Sequence, residues 1–144
     1  MSNPATISQD LAHKRSTSVP LNAAALAGRL LLSAIFIISG LSKLAAPAVT
    51  IGYIQSVGLP LAPLGFALAV AIEVLGGFAL IAGYRSRLVA AVLAVFTLAT
   101  ALAFHNDLAD QNQFIHFFKN IAMVGGLLQV VAFGVGRFSL GARQ

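Results

Sequence analysis

Long runs of apolar residues dominate the chain, and short polar segments interrupt them. Four of the runs are long enough to cross a hydrocarbon core, which needs about 20 helical residues. They cover Ala23 to Leu44, Ala62 to Ala82, Leu88 to Phe104 and Phe114 to Phe133. Nothing in them alternates as barrel strands do, and lipid offers no partner to an unpaired backbone group. The pattern predicts an all-α integral membrane protein, built as a four-helix bundle.

The segments between the spans carry the polar and helix-breaking residues. Between the first two spans, Ala48 to Val57 is too short to cross a membrane, which predicts a short interfacial helix or a re-entrant segment. The turn "GYRSR" joins the second and third spans, and "HNDLADQNQ" joins the third and fourth. Residues 1 to 22 are polar, so we expect a disordered cytoplasmic tail ahead of a membrane domain at residues 23 to 140.

Composition supports membrane insertion. The chain is 58% hydrophobic and only 9% charged, with a mean hydropathy of +0.90, whereas soluble domains carry about 25% charged residues. Its net charge of +5 does not indicate a nucleic-acid partner, because the nine basic residues are scattered between apolar runs instead of clustering. The chain has no cysteine, which excludes disulfides, cysteine-ligated iron-sulfur clusters and a thiol relay carried by this chain.

The basic residues instead predict the orientation, because Lys and Arg accumulate on the cytoplasmic side of a membrane. On the side of the amino terminus lie Lys14, Arg15, Arg85, Arg87, Arg137 and Arg143. The opposite side has only Lys43 and Lys119. Both termini of this multi-pass protein are therefore expected in the cytoplasm.

The single glutamate of the chain, Glu73, stands in the middle of the second span, in "VAIEVLGG". It lies roughly 14 to 16 Å from either end of the predicted helix, where a charged side chain costs on the order of 3 kcal/mol. Its helical neighbours Ala69, Gly76 and Gly77 form a small-residue face that lets another helix approach. We expect the carboxylate in a helix interface, either as a structural ion pair or as a substrate-binding or proton-handling group.

Basic groups in the other spans are the candidate partners of this carboxylate. In the first span, one helical stripe with steps of 4, 3, 4 and 3 residues holds Arg29, Ser33, Phe36, Gly40 and Lys43. Depth favours Arg29 as the partner, because its long side chain would reach toward the middle of the membrane. Lys119, near the start of the fourth span, is the alternative, and Lys43 is assigned to the outer end.

The outer side carries surplus positive charge and several hydrogen-bonding groups. His105 ends the third span, and Asn112, Gln113, His116 and Asn120 follow it. Such a cluster would receive an anion or the carbonyl oxygens of a quinone. The alternative is that Lys43 and Lys119 only anchor the helices at the interface, and that His105 only caps a helix. The spacing of the histidines and aspartates matches no standard metal site, so we expect none.

Several motifs together resemble the DoxX family of small four-helix bacterial membrane proteins. They are "GRLLLSAIFIISGLSKL", "SVGLP", "AIEVLGGFALIAGYRSRL", "FH" and "FFKNIAMVGGLL", in that order between about residues 25 and 140. The resemblance implies a place in the bacterial inner membrane. Family members are associated with membrane oxidoreductase systems, among them a thiosulfate to quinone oxidoreductase and a complex linked to radical detoxification. The family's motif positions fall here on Arg29, Gly40, Lys43, Glu73, Gly83, His105, Lys119 and Asn120.

These observations predict a membrane subunit of a redox system that binds a quinone or a small anionic substrate. Glu73 and His105 are the expected catalytic groups. Arg29, Lys43, Lys119 and Asn120 are expected to bind substrate, and Gly40, Gly76 and Gly77 to pack helices. A soluble oxidoreductase and a second copy of the chain are candidate partners besides the lipid bilayer. Two other functions stay open: a transporter or permeability factor with Glu73 as its ion site, and a scaffold for a soluble oxidoreductase.

Overall fold

The described part of the chain consists of helices and the turns that join them, without a β-strand. A computed structural model describes residues 4–134 and residue 139, with the backbone alone for residues 4–20. Its five helices are α1 (Pro4–Ala45), α2 (Pro47–Ser56), α3 (Ala62–Ala82), α4 (Ser86–Phe104) and α5 (Gln111–Phe133). The all-α prediction is confirmed.

Four helical stretches are long and apolar enough to cross a membrane, as predicted. They are Leu21–Ala45, Ala62–Ala82, Ser86–Phe104 and Gln111–Phe133. The second agrees with the predicted span at both ends, and the third and fourth begin two and three residues earlier than their apolar runs. At α5 the cause is a cap: the Asp110 carboxylate accepts a hydrogen bond from the Gln113 backbone N–H at 2.8 Å, so polar residues form the first turn.

The helix α1 extends far beyond its membrane span. Its backbone is helical from Pro4 onward, and the disordered cytoplasmic tail expected for residues 1 to 22 stays a prediction. Adding residues to an existing helix needs no new nucleus, so a polar segment can continue a stable span as helix. The division of the chain at residue 22 stays a prediction.

The short segment between the first two spans forms a helix, as predicted. In α2, Pro47 occupies the first turn, where its missing N–H leaves no partner unsatisfied. The helix packs on α3 and α1, with Ile54 buried. It closes one end of the bundle beside the predicted site.

The four long helices alternate in direction, which gives the bundle two distinct ends. At the histidine end, α1 and α4 finish, α3 and α5 begin, and His105 and His116 lie nearby. At the arginine end, α3 passes into α4 through a turn that holds Arg85 and Arg87. Gly83 ends α3 there with a φ of 70°, a left-handed conformation that glycine adopts without a Cβ penalty.

Packing divides the bundle into two helix pairs. α1 packs mainly on α3 and α4 mainly on α5, while α3 and α4 contact each other less and α1 hardly touches α5. The buried core contains Phe36, Leu80, Leu93 and Leu127. Many large apolar side chains outside it are exposed, as expected of a surface that faces lipid.

Candidate functional site

A partly buried ion pair joins α1 to α3 in the half of the bundle nearer the histidine end. The Lys43 ammonium lies 2.9 Å from Glu73 Oε1 and 2.8 Å from Glu73 Oε2. It also donates to Ser39 Oγ at 2.7 Å, and the Ser39 hydroxyl donates to Glu73 Oε1 at 3.1 Å. The Glu73 side chain is only 7% exposed. A lysine ammonium has three N–H donors, so these three acceptors occupy all of them.

The partner of Glu73 is therefore Lys43, and the expectation of Arg29, with Lys119 as the alternative, is wrong. Side chains in a helix lean toward its amino terminus. Lys43 consequently reaches back from the end of α1 toward the middle of the span. Glu73, on the antiparallel α3, leans toward the histidine end and meets it. The sequence argument used depth alone and ignored this direction.

Arg29 shares the buried stripe of α1 but lies away from the cavity. It is 3% exposed, and its guanidinium points to the arginine end, where a Cβ built on Gly83 would lie 3.4 Å from Arg29 Nη1. Its side chain leans toward the start of α1, in the direction opposite to Glu73. Arg29 therefore does not lie with the other predicted substrate-binding residues.

Two glycines allow α1 and α3 to approach closely around the ion pair. A Cβ on Gly40 would lie 2.6 Å from Val74 Cγ2 and 3.2 Å from Glu73 Cβ, and one on Gly77 would lie 2.6 Å from Ile37 Cγ1. These distances are shorter than a van der Waals contact between carbon atoms. A third glycine, Gly76, faces α4, where its Cβ would lie 3.0 Å from Leu93 Cδ2. The small-residue face around Glu73 thus serves two helix neighbours.

A cavity of about 630 Å³ opens beside the ion pair, between all five helices. Lys43 and Glu73 line its deeper part, and His105, His116, Lys119 and Asn120 line the α4 and α5 side. The remaining walls are largely apolar, with Ile35, Phe36, Ile54, Leu59, Phe96 and Met123 among them. The volume lies within the range of small-molecule sites, roughly 300 to 1,000 Å³.

Two stacked histidines lie at the cavity, with ring centroids 5.1 Å apart. The Lys119 ammonium donates to His116 Nδ1 at 2.8 Å, so His116 is neutral and carries its proton on Nε2. His105 Nδ1 lies 2.8 Å from the Gln113 amide oxygen, which only accepts, so His105 Nδ1 donates. In neutral His105, Nε2 is then an acceptor, while His116 Nε2–H is a donor. The histidine pair thus offers one hydrogen-bond donor and one hydrogen-bond acceptor.

Further donors lie on α5. Lys119 keeps two N–H groups beyond the one that it donates to His116. Asn120 is 8% exposed and lines the cavity, and no hydrogen bond of its amide is present within the described residues. Unlike the saturated Lys43, both side chains have donors for a ligand.

Three side chains at the site were missed as site residues by sequence reasoning: Ser39, His116 and Tyr53. Ser39 lies four residues before Lys43, so helical spacing could have placed it in the ion-pair cluster. His116 was named only as a neighbouring polar group. The Tyr53 hydroxyl donates to the Phe104 carbonyl at 3.3 Å, and the two rings lie 5.3 Å apart. This contact joins α2 to the end of α4, and no sequence signal indicated it.

No group of three or more potential metal ligands is present among the described residues. The polar residues of this end lie in separate places. His105 and His116 stack on each other, whereas Asp110 caps α5. Arg137 and Arg143, which entered the orientation argument, lie outside the described residues.

Comparison with known proteins gives consistent relatives. The family model for DoxX matches residues 24–106. The inner membrane protein YqjF of Escherichia coli is 35% identical over 117 residues, which cover 80% of this chain and 87% of that protein. The inner membrane protein YphA of Escherichia coli is 32% identical over 124 residues, covering 82% of this chain and 88% of that protein. No solved structure gives a significant match.

Proposed function

Since this chain belongs to the DoxX family of integral membrane proteins, we propose that it is a membrane subunit of a redox system, with a quinone site in its cavity. One observation carries the proposal: an apolar-walled cavity of about 630 Å³ presents its ionisable and hydrogen-bonding groups together near the histidine end. A quinone has matching parts, because its ring is apolar and its carbonyl oxygens accept hydrogen bonds. A small oxyanion would use the cations but would leave the apolar walls unfilled.

Different residues of the cavity have different roles in quinone reduction. Lys119 and Asn120 donate hydrogen bonds to a carbonyl oxygen, and the Lys119 charge stabilises the negative charge that develops there on reduction. The Lys43–Glu73 ion pair forms a fixed polar floor, because its hydrogen bonds are satisfied between α1 and α3. Arg29 has no part in this site.

Reduction to the quinol consumes two electrons and two protons. The electrons come from a partner oxidoreductase, and the protons pass through groups of this chain. His116 passes its Nε2 proton to one carbonyl oxygen while its Nδ1 takes a proton from the Lys119 ammonium, so the ring stays neutral. His105 Nε2 takes up the second proton from the outer side and passes it to the quinone. Glu73 remains the second proton-handling candidate, since its carboxylate lines the same space. The predicted orientation puts this end of the bundle on the outer face of the inner membrane.

The test is direct binding of a benzoquinone without a tail to the purified full chain in lipid nanodiscs, measured by calorimetry. Asn120→Leu removes one of the two donors to the carbonyl oxygen, and the loss of one hydrogen bond costs about 0.5–1.5 kcal/mol. We therefore expect roughly two- to tenfold weaker binding. The matched control is Gln129→Leu, on the same helix but exposed and outside the cavity, which should leave the affinity unchanged.

Two results together would reject the proposal. One is that the chain binds neither benzoquinone nor sulfite or thiosulfate. The other is that Glu73→Gln leaves the quinone-linked respiration of the host unchanged. If vesicles that contain the protein show solute flux, and if Glu73→Gln abolishes that flux, the transporter function is favoured instead.

A further inference from the structure

A second cavity, of about 400 Å³, lies between α3 and α4. Its walls are apolar throughout: Ile72 of α3 and Ala91, Val92, Val95, Phe96 and Ala99 of α4. Val92 and Val95 are 46% and 70% exposed, so this tail groove, as we call it, is open on the outside of the bundle. On that surface of a membrane protein, only hydrocarbon fits it well.

The tail groove adjoins the quinone cavity, and the two spaces share part of their walls. Phe96 and Ala99 line both spaces. They lie three residues apart, about one turn of α4, and Ala99 is exposed while Phe96 is half-buried. The two helices beside this junction belong to different helix pairs and pack less extensively than the partners within each pair. The junction at Phe96 and Ala99 is therefore the place where the least protein separates the cavity from the lipid-facing groove.

The alternative way out of the cavity is polar. Toward the histidine end a ligand would pass His105, His116 and the exposed Lys119, where a hydrocarbon chain would lie against charge and water. Burial of hydrocarbon away from water is favourable, so an apolar chain attached to a bound ring leaves through the junction.

We propose that the ligand of the cavity carries a hydrocarbon tail, of the isoprenoid class that membrane quinones bear, and that this tail passes Phe96 and Ala99 into the tail groove. The inference rests on the proposed quinone site and adds the route by which its ligand enters. Lipid chains are as apolar as the groove, so moving a tail between them changes the free energy little. The groove supplies a path, and the affinity comes from the ring.

The experiment blocks the junction. Ala99→Phe places a large ring where the two spaces meet, and Ala67→Phe is the matched control, because Ala67 is also an exposed alanine and lines neither space. Binding of two probes is measured in phosphatidylcholine nanodiscs: a benzoquinone without a tail and the same ring with a two-isoprene tail. For each probe, the affinity of the variant is divided by the affinity of the wild-type protein. The partition of that probe into the bilayer is the same in both measurements and cancels.

We expect Ala99→Phe to weaken binding of the tailed quinone at least tenfold more than binding of the tailless quinone, and Ala67→Phe to affect neither. An equal loss for both probes would place the junction inside the ring site and overturn the inference. No loss for either would mean that the groove holds only bilayer lipid, which also overturns it. If wild-type protein binds neither probe, the proposed function itself fails, and the tail route fails with it.

A second measurement needs no variant. A quinone with a photoreactive diazirine at the end of its tail is crosslinked to the wild-type chain, and the labelled peptides are identified by mass spectrometry. Labelling of residues 91–99 or of Ile72 supports the route. Labelling confined to α2 or α5 contradicts it.

Discussion

At the scale of single residues, the Lys43–Glu73 pair shows what the sequence could and could not predict. The burial of Glu73 in a helix interface followed from its depth and its small neighbours. The identity of its partner required the direction of side chains along antiparallel helices, which reverses between α1 and α3. With that rule applied, Lys43 becomes the natural partner, and Arg29 and Lys119 point away from Glu73.

A double-mutant cycle measures this pair. Lys43→Gln leaves a buried carboxylate without its cation, and Glu73→Gln leaves a lysine without its anion, so each single change should lower the free energy of unfolding. The double variant should recover part of the loss, with a coupling of about 1–3 kcal/mol. Unfolding in one detergent, followed by circular dichroism, gives the four values. Strictly additive losses would show that the pair contributes no interaction energy.

At the scale of the helices, periodicity and length predicted nearly everything. The bounds of α3 agree with the predicted span, and the buried stripe of α1 is the one expected from steps of three and four residues: Arg29, Ser33, Phe36 and Gly40 are all buried. The early start of α5 was missed because its first turn is polar and depends on the Asp110 cap. The polar side of the cavity, with Lys43, Glu73, His105 and Lys119, was predicted, whereas its size and its apolar walls arise from the arrangement of five helices and no local pattern encodes them.

Glycine contacts make the helix packing testable. Gly77→Ala forces a Cβ against Ile37 Cγ1 and near the Ser33 carbonyl, and overpacking of this kind costs about 1–3 kcal/mol. The control is Gly125→Ala in α5, where nothing lies within 4 Å of the added Cβ. We expect a lower thermal midpoint for Gly77→Ala only, measured for both variants in the same detergent. Equal midpoints for the two variants would contradict close packing of α1 on α3.

At the scale of the whole molecule, the turn with Arg85 and Arg87 and the cavity lie at opposite ends of the bundle. The predicted orientation, which stays a prediction, would place the turn toward the cytoplasm and the cavity toward the outside. Lys43 does not weaken that argument, because Glu73 neutralises it inside the bundle. The site is then accessible from the outer half of the membrane, while a cytoplasmic partner would meet the arginine end and the start of α1.

Because the chain has no cysteine, single-cysteine variants can test this orientation directly. Asn106→Cys lies at the histidine end and Tyr84→Cys at the arginine end, and both positions are exposed. A membrane-impermeant maleimide added to spheroplasts should label Asn106→Cys at once and Tyr84→Cys only after lysis. The reverse order would invert the proposed topology and place the cavity on the cytoplasmic side.

The contact of Tyr53 with Phe104 has a mechanical consequence. The ion pair lies in the α1–α3 helix pair and the histidines lie in the α4–α5 helix pair, so the two helix pairs each form part of the cavity wall. Among the described residues at the histidine end, the 3.3 Å hydrogen bond from Tyr53 to the Phe104 carbonyl is the one side-chain hydrogen bond that joins the two helix pairs. Its loss costs about 1 kcal/mol. At this end of the bundle, separating the two helix pairs would therefore break one side-chain hydrogen bond and leave the ion pair and the histidine pair intact.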